Sequence, residues 1–183
     1  LPVLEQQAGL RKMSVRRLLE NDEIHTWSAA EIGTWRTAGG WMGEAGTGDM
    51  RTWLAQPGRW ENPLTGKNGP AGSATPDDDL LAWLLADSNG KTVATIFCEQ
   101  LQSRQVPEHP VLWMTDSKGI ELADGLALSL RDFGRLGNVL LDARTSRNAT
   151  RIPGWFIETL GAPSGSRATE IKGLSKGSEW RYG

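Results

Sequence analysis

Three short apolar runs in the second half of the chain limit the folds that are open to it. They lie at residues 80–85 (LLAWLL), 111–114 (VLWM) and 139–141 (VLL). Continuous apolar runs of this length are typical of strands that are buried on both faces of a sheet. Between the last two runs, residues 120–133 place apolar side chains at helical spacing. This alternation predicts an α/β core of two or three layers with mostly parallel strands, over about residues 77–175.

Residues 86–105 decide between this fold and one alternative. Asn89 and Gly90 lie between apolar runs, which is a hairpin signal and favours an α+β fold with an antiparallel hairpin at residues 80–98. The competing interpretation is a helix over residues 92–104, because the glutamine-rich end of this segment favours helix over strand. The apolar residues that would share a face of this helix are Val93, Ile96, Phe97 and Leu101. We expect the helix and keep the hairpin as the alternative.

The first part of the chain is expected to be helical and rich in loops. Ser28 and Glu31 have the spacing of a capping box and predict a short helix that ends at Gly39 and Gly40. Glycine and proline recur through residues 57–79, which are expected to be loop-like and mark the best internal boundary. We therefore divide the chain into an N-terminal segment, residues 1–76, and a core with a basic tail, residues 77–183, packed together as one unit.

Composition excludes several classes of protein. The formal net charge is −2, and Cys98 is the only cysteine, so a disulfide-stapled scaffold is excluded. With two histidines, a zinc site of several histidines is not expected, and we predict no metal site. No apolar run approaches about 18 residues and the first residues lack the pattern of a signal peptide, so we expect no membrane association and a cytoplasmic location.

Tryptophan is the unusual component, with nine residues against three phenylalanines and one tyrosine. Two of the nine, Trp83 and Trp113, lie in the apolar runs and are expected in the core. Tryptophan combines a large contact area with an N–H donor and is enriched where proteins bind partners. We therefore predict a partner-binding surface in the first third of the chain, formed by Trp27, Trp35, Trp41, Trp53 and Trp60.

Charge is distributed unevenly along the chain. Residues 144–183 carry seven Lys or Arg and three Glu, whereas residues 61–99 carry two Lys and six acidic residues. A basic tail can contact an acidic protein surface or phosphate groups. The expected partner is another protein, with nucleic acid as the alternative, and the tail residues assigned to it are Arg144, Arg147 and Arg151.

A nucleotide site is a second hypothesis. A strand at residues 80–85, the loop residues Gly90, Lys91 and Thr92, a helix, and then Asp116 after the next strand follow the order of a P-loop. Over residues 80–160 this order is similar to the core of recombinase-type P-loop ATPases. The resemblance implies that these four residues bind a magnesium nucleotide. Leu85 stands where the motif requires glycine, so the resemblance implies a degenerate relative of these ATPases.

A third hypothesis is a magnesium-dependent enzyme that processes nucleic acid. Asp142 at the end of a predicted strand, followed by Glu170 and Lys172 in an E-x-K pattern, resembles restriction-type nucleases. The leading interpretation remains a non-enzymatic accessory protein that binds a macromolecular partner. No cofactor is expected unless the P-loop hypothesis holds.

Overall fold

The computed structural model describes residues 5, 7–19, 24–41, 49–62, 64–65, 75–101, 107–145 and 152. Several predictions concern residues outside this part of the chain. They are the tail residues Arg147 and Arg151 and the nuclease candidates Glu170 and Lys172. None of the helices in the described ranges is both long and apolar enough to cross a membrane.

The N-terminal part consists of short helices, as the sequence predicts. The helices are α1 (Val15–Leu19), α2 (Ala29–Ala38) and α3 (Met50–Leu54), with 3-10 turns at Leu10–Lys12 and Arg59–Glu61. Two short strands, β1 (Ile24–His25) and β2 (Leu64–Thr65), pair in the antiparallel direction.

Side-chain caps fix where these helices begin. Ser28 accepts the N–H of Glu31, and the Glu31 carboxylate accepts the N–H of Ser28, so the predicted capping box is confirmed. Asp49 caps α3 by accepting the N–H of Thr52. These contacts satisfy N–H groups that have no partner within the first turn of a helix.

The second half contains three helices and one hairpin. The elements are α4 (Pro76–Asn89), α5 (Val93–Gln100), β3 (Leu112–Thr115), β4 (Glu121–Ala127) and α6 (Leu130–Thr145). The predicted helix over residues 92–104 is confirmed in its first part, and Thr92 caps it by accepting the N–H of Thr95. Strands β3 and β4 pair in the antiparallel direction.

The strand predicted at residues 80–85 is wrong, because this run lies in the middle of α4. Thr75 and Asp78 form a capping box, Pro76 lies in the first turn, and Gly90 ends the helix with a φ of +60°. Leucine and alanine are strong helix formers, so with these signals at both ends the run becomes helical. Within the run, the helix buries Leu80, leaves residues 81–84 partly exposed and exposes Leu85.

The predictions for residues 120–141 are also wrong in two places. Residues 121–127 form β4 rather than a helix, because the turn at Gly119 (φ +80°) brings them back beside β3. The VLL run at residues 139–141 is part of α6 rather than a strand. Ser129 accepts the N–H of Asp132 and so fixes the start of this helix.

The fold is therefore a mixed arrangement of helices and antiparallel strands. Both sheets in the described ranges have two strands, and both are antiparallel, so a core of mostly parallel strands is not supported. The alternative with an antiparallel hairpin fits this class. The hairpin lies at residues 112–127, however, while residues 80–98 are largely helical.

The core draws on both sides of residue 76. Its fully buried residues come from α1, α2, α3, the second 3-10 turn, α4 and β4: Leu18, Trp35, Ala38, Met50, Trp53, Leu54, Trp60, Leu80 and Leu122. Three of these nine are tryptophans from the N-terminal segment. These N-terminal tryptophans thus form a large part of the apolar core. Helix α4 contributes Leu80 to the same core, and strand β4 contributes Leu122.

Candidate functional site

The predicted tryptophan surface is mostly buried. Trp35, Trp53 and Trp60 lie in the core, so the expectation of an exposed surface does not hold for them. Trp27 and Trp41 are half-buried and pack against the same core. These two keep part of their area accessible, and for them the assignment to a partner-binding surface stays a prediction.

We call the five N-terminal tryptophans named above the tryptophan cluster. The first turn of α4 supplies carboxylates to this cluster. The two carboxylate oxygens of Asp77 lie 2.6 Å from Nε1 of Trp27 and 2.8 Å from Nδ1 of His25. The His25 ring in turn packs against the rings of Trp27 and Trp60, with centroid distances of 5.6 and 4.9 Å. Both His25 and Asp77 are buried, so this histidine is a core residue.

Asp79 joins the tryptophan cluster to the hairpin. One of its oxygens accepts the indole N–H of Trp35 at 2.7 Å, and the other accepts the backbone N–H of Ala123 in β4 at 2.7 Å. Burial raises the pKa of Asp79 to about 6, although both hydrogen bonds oppose this shift. The Asp79 carboxylate thus links helix α2 to strand β4 and has a structural role.

The remaining core indoles also have polar partners. Trp53 donates to Oγ1 of Thr34 at 3.1 Å, and Trp60 donates to the carbonyl oxygen of Leu54 at 2.7 Å. A buried indole N–H needs an acceptor, so a chain that buries several tryptophans must supply several acceptors. That requirement was the available sequence signal for the Asp77–Asp79 run.

The residues of the P-loop hypothesis have local structural roles. Gly90 ends α4, Thr92 caps α5, and Nζ of Lys91 lies 2.8 and 2.7 Å from the two carboxylate oxygens of Glu99. Asp116 is buried in the β3–β4 turn, where it accepts the N–H groups of Met50, Lys118 and Ile120. The P-loop order requires a strand at residues 80–85, where the structure has helix α4. The order of elements on which the resemblance rested is therefore not found.

The nuclease candidate Asp142 lies on the exposed side of α6, not at the end of a strand. Arg144, from the predicted basic tail, belongs to the last turn of the same helix. Across the described ranges, no group of three or more histidine, cysteine or acidic side chains is arranged to hold a metal ion.

A second histidine–aspartate pair was missed by the sequence analysis. Nδ1 of His109 lies 3.0 Å from Oδ2 of Asp132, whose carboxylate also accepts the hydroxyl of Ser129 and the backbone N–H of Glu108. The N–H of Glu108, followed by the bonds from Ser129 and His109, holds the pKa of Asp132 well below its usual range. The pair fastens the loop before β3 to the start of α6, and the His109 ring is exposed on that surface.

Strand β3 departs from the expected burial. The sequence predicts a strand buried on both faces, yet Leu112 is 70 % exposed and Met114 is 45 % exposed. Only Trp113 points inward, where it packs edge-on against Phe97 with a centroid distance of 5.7 Å. It also donates its indole N–H to the carbonyl oxygen of Leu122 at 2.8 Å.

The side of β3 that faces away from β4, which we call the β3 edge, has no neighbouring strand among the described residues. Strand β4 covers the other side incompletely: Trp113 pairs with Leu126 and Thr115 pairs with Glu121, so one residue of β3 faces four of β4. The extra residues bend β4 towards α4, where Ala123 reaches Asp79. Gly125 permits this path, since a Cβ atom there would lie 2.7 Å from the carbonyl oxygen of Met114.

No protein-family model matches the chain. No curated protein has a significantly similar sequence.

Proposed function

We propose that the chain is a non-enzymatic accessory protein that binds a protein partner through the β3 edge. The observation that supports this proposal is the exposure of Leu112 and Met114 on a strand that has one neighbouring strand within the described ranges. An unpaired strand offers a row of backbone N–H and C=O groups to an extended segment of another chain, and its side chains provide selectivity.

The chemistry of the β3 edge favours binding over solvation. Residues 111–115 contain no charged side chain, whereas exposed strand edges usually carry lysine, proline or inward-pointing charges that prevent pairing. The bulge of this hairpin lies in β4 and leaves β3 itself unprotected. An uncharged and extended apolar segment is therefore the partner chemistry that this edge suits.

This proposal moves the binding surface away from most of the tryptophans. Trp27 and Trp41 remain candidates for a secondary contact, and the basic residues of the tail remain candidates for an acidic partner. We place the protein in the cytoplasm, because a chain with a single cysteine suits a reducing compartment.

A photo-crosslinking amino acid at position 114 tests the proposal. The matched control carries the same group at position 85, because Leu85 is 44 % exposed on α4 and Met114 is 45 % exposed on β3. We expect irradiation of cells that naturally contain the protein to give a distinct adduct from position 114 only. The proposal fails if position 114 gives no adduct, or if both positions give the same ones.

A further inference from the structure

We infer that the segment received by the β3 edge is the β3 strand of a second copy of this chain, in antiparallel pairing about a two-fold axis near Trp113. This inference rests on the proposed function, since it requires that the β3 edge is a docking edge. It adds the identity of the partner and the register of the pairing.

Charge favours self-pairing. Two-fold pairing brings the same strand of both copies together, so any charge in the strand would be present twice in the joined sheet, and residues 111–115 carry none. The residues that flank the strand are also complementary in charge. Antiparallel pairing places Glu108, before β3 in one copy, near Lys118, after β3 in the other. Both side chains are exposed, and Glu108 already bridges Arg135 at 2.9 Å and Arg131 at 3.5 Å.

The register follows from the two exposed side chains. A two-fold axis at Trp113 places Leu112 of one copy opposite Met114 of the other, and the reverse. Because side chains alternate along a strand, these four apolar groups lie on one face of the joined sheet and cover one another. The Trp113 ring lies on the opposite face, where its contacts with Phe97 and Leu122 are unchanged by the pairing.

The first turn of α6 carries two further exposed apolar side chains. Leu112 pairs with Ala127, and α6 begins three residues after Ala127 with Leu130, which is 88 % exposed. Phe133, one turn later, is 61 % exposed. Stable interfaces bury at least about 1,200 Å² in total, which a four-residue strand pair does not reach alone. We therefore include Leu130 and Phe133 in the proposed interface.

The oligomeric state of the full chain gives the first test. We expect a dimer in light scattering and sedimentation for the wild type and for Leu85→Lys, the control of equal exposure. For Met114→Lys we expect the dimer dissociation constant to rise by at least about tenfold, because symmetry introduces two lysines into one apolar stripe. A wild type that stays monomeric at every attainable concentration overturns the inference, as does an equal effect of both variants.

Disulfide trapping tests the register and does not depend on the folding of Met114→Lys. In a Cys98→Ser background, Leu112→Cys and Met114→Cys chains are oxidised separately and as a mixture. Directly opposed residues of antiparallel strands have Cα atoms about 5 Å apart, within reach of a disulfide. We expect several-fold more covalent dimer from the mixture than from either variant alone, and equal yields contradict the register.

The two proposals fail in different ways. If the chain is monomeric but position 114 crosslinks specifically to another protein, the β3 edge remains a docking edge and the second copy is excluded. If the chain is a dimer that Met114→Lys leaves intact, and position 114 gives no adduct, both are wrong.

Discussion

The carboxylate of Asp77 accepts the indole N–H of Trp27 at 2.6 Å, across 50 residues of sequence. The same carboxylate lies 2.8 Å from the ring of His25, so one side chain from the first turn of α4 holds two aromatic residues of the N-terminal segment. All three belong to or line the core, where polar groups require partners.

Asp77→Ala should therefore destabilise the protein severely. The substitution leaves the indole N–H of Trp27 and the His25 ring without their shared partner in a buried setting, and we expect a loss of about 3 kcal/mol in the free energy of unfolding. Urea denaturation followed by tryptophan fluorescence measures this loss. Asp87→Ala, an exposed position on the same helix, is the control and should change the free energy by less than about 0.5 kcal/mol. Similar values for both variants would contradict the role assigned to Asp77.

Stability should fall as Asp79 ionises. Its pKa is raised by burial from 3.8 to about 6, so the folded state holds this proton more tightly than the unfolded state does. The contribution of Asp79 to the free energy of unfolding is therefore largest below about pH 4, and it is lost as the pH rises through about 6. Burial also raises the pKa values of Asp78 and Asp124, and the charges of these two carboxylates raise the pKa of Asp79 further.

Asp79→Asn should make the pH profile flatter. Between about pH 4 and pH 7 we expect the wild type to lose about 2 kcal/mol more than the variant, since one unit of pKa shift corresponds to about 1.4 kcal/mol. Urea midpoints measured across this range provide the comparison. Parallel profiles for the two proteins would show that Asp79 does not titrate in this way.

Gly125 should tolerate no side chain. A Cβ atom at this position would lie 2.7 Å from the carbonyl oxygen of Met114 and 3.0 Å from that of Leu122. We expect Gly125→Ala to cost about 2 kcal/mol through displaced backbone. In contrast, Gly134→Ala adds a methyl group to exposed helix with nothing within 4 Å, and it should stabilise the protein by about 0.5 kcal/mol. Thermal denaturation distinguishes the two, and a neutral Gly125→Ala would contradict the close approach of β4 to β3.

Nucleotide binding that depends on Lys91 is not expected. The N–H groups of Gly90 and Lys91 bond to carbonyl groups at the end of α4, and the Lys91 ammonium group is paired with Glu99. These amides are therefore engaged where a phosphate-binding loop needs them directed at the ligand. Calorimetric titration with magnesium ATP should give no heat that Lys91→Ala removes. Binding that this variant weakens, while Lys118→Ala leaves it unchanged, would restore the nucleotide hypothesis.

The parts of the fold that were predictable are those fixed by neighbours in the sequence. The capping box at Ser28 and the helix that follows Thr92 depend on residues three apart, and both were predicted. The apolar run at residues 80–85 was assigned to a strand because a short buried run carries no periodicity that separates helix from strand. Residues 121–127 have helical spacing but form β4, because their partner β3 and the Asp79 carboxylate determine their path.

The candidate site was less predictable for the same reason. The tryptophan surplus was evident, but Trp27 and Trp35 are held by the distant acceptors Asp77 and Asp79, which lie 50 and 44 residues away along the chain. The exposure of Leu112 and Met114 depends on how many strands adjoin β3. Local composition does not determine this number.

The two bonds to Asp79 also bear on how the molecule unfolds. The indole of Trp35 and the amide of Ala123 share one carboxylate, so neither the N-terminal helices nor the hairpin can detach without leaving a buried negative charge with half of its donors. The two halves of the chain should consequently behave as a single cooperative unit. In hydrogen exchange, the Ala123 amide and the Trp35 indole should open in the same event, with equal protection and the same response to denaturant.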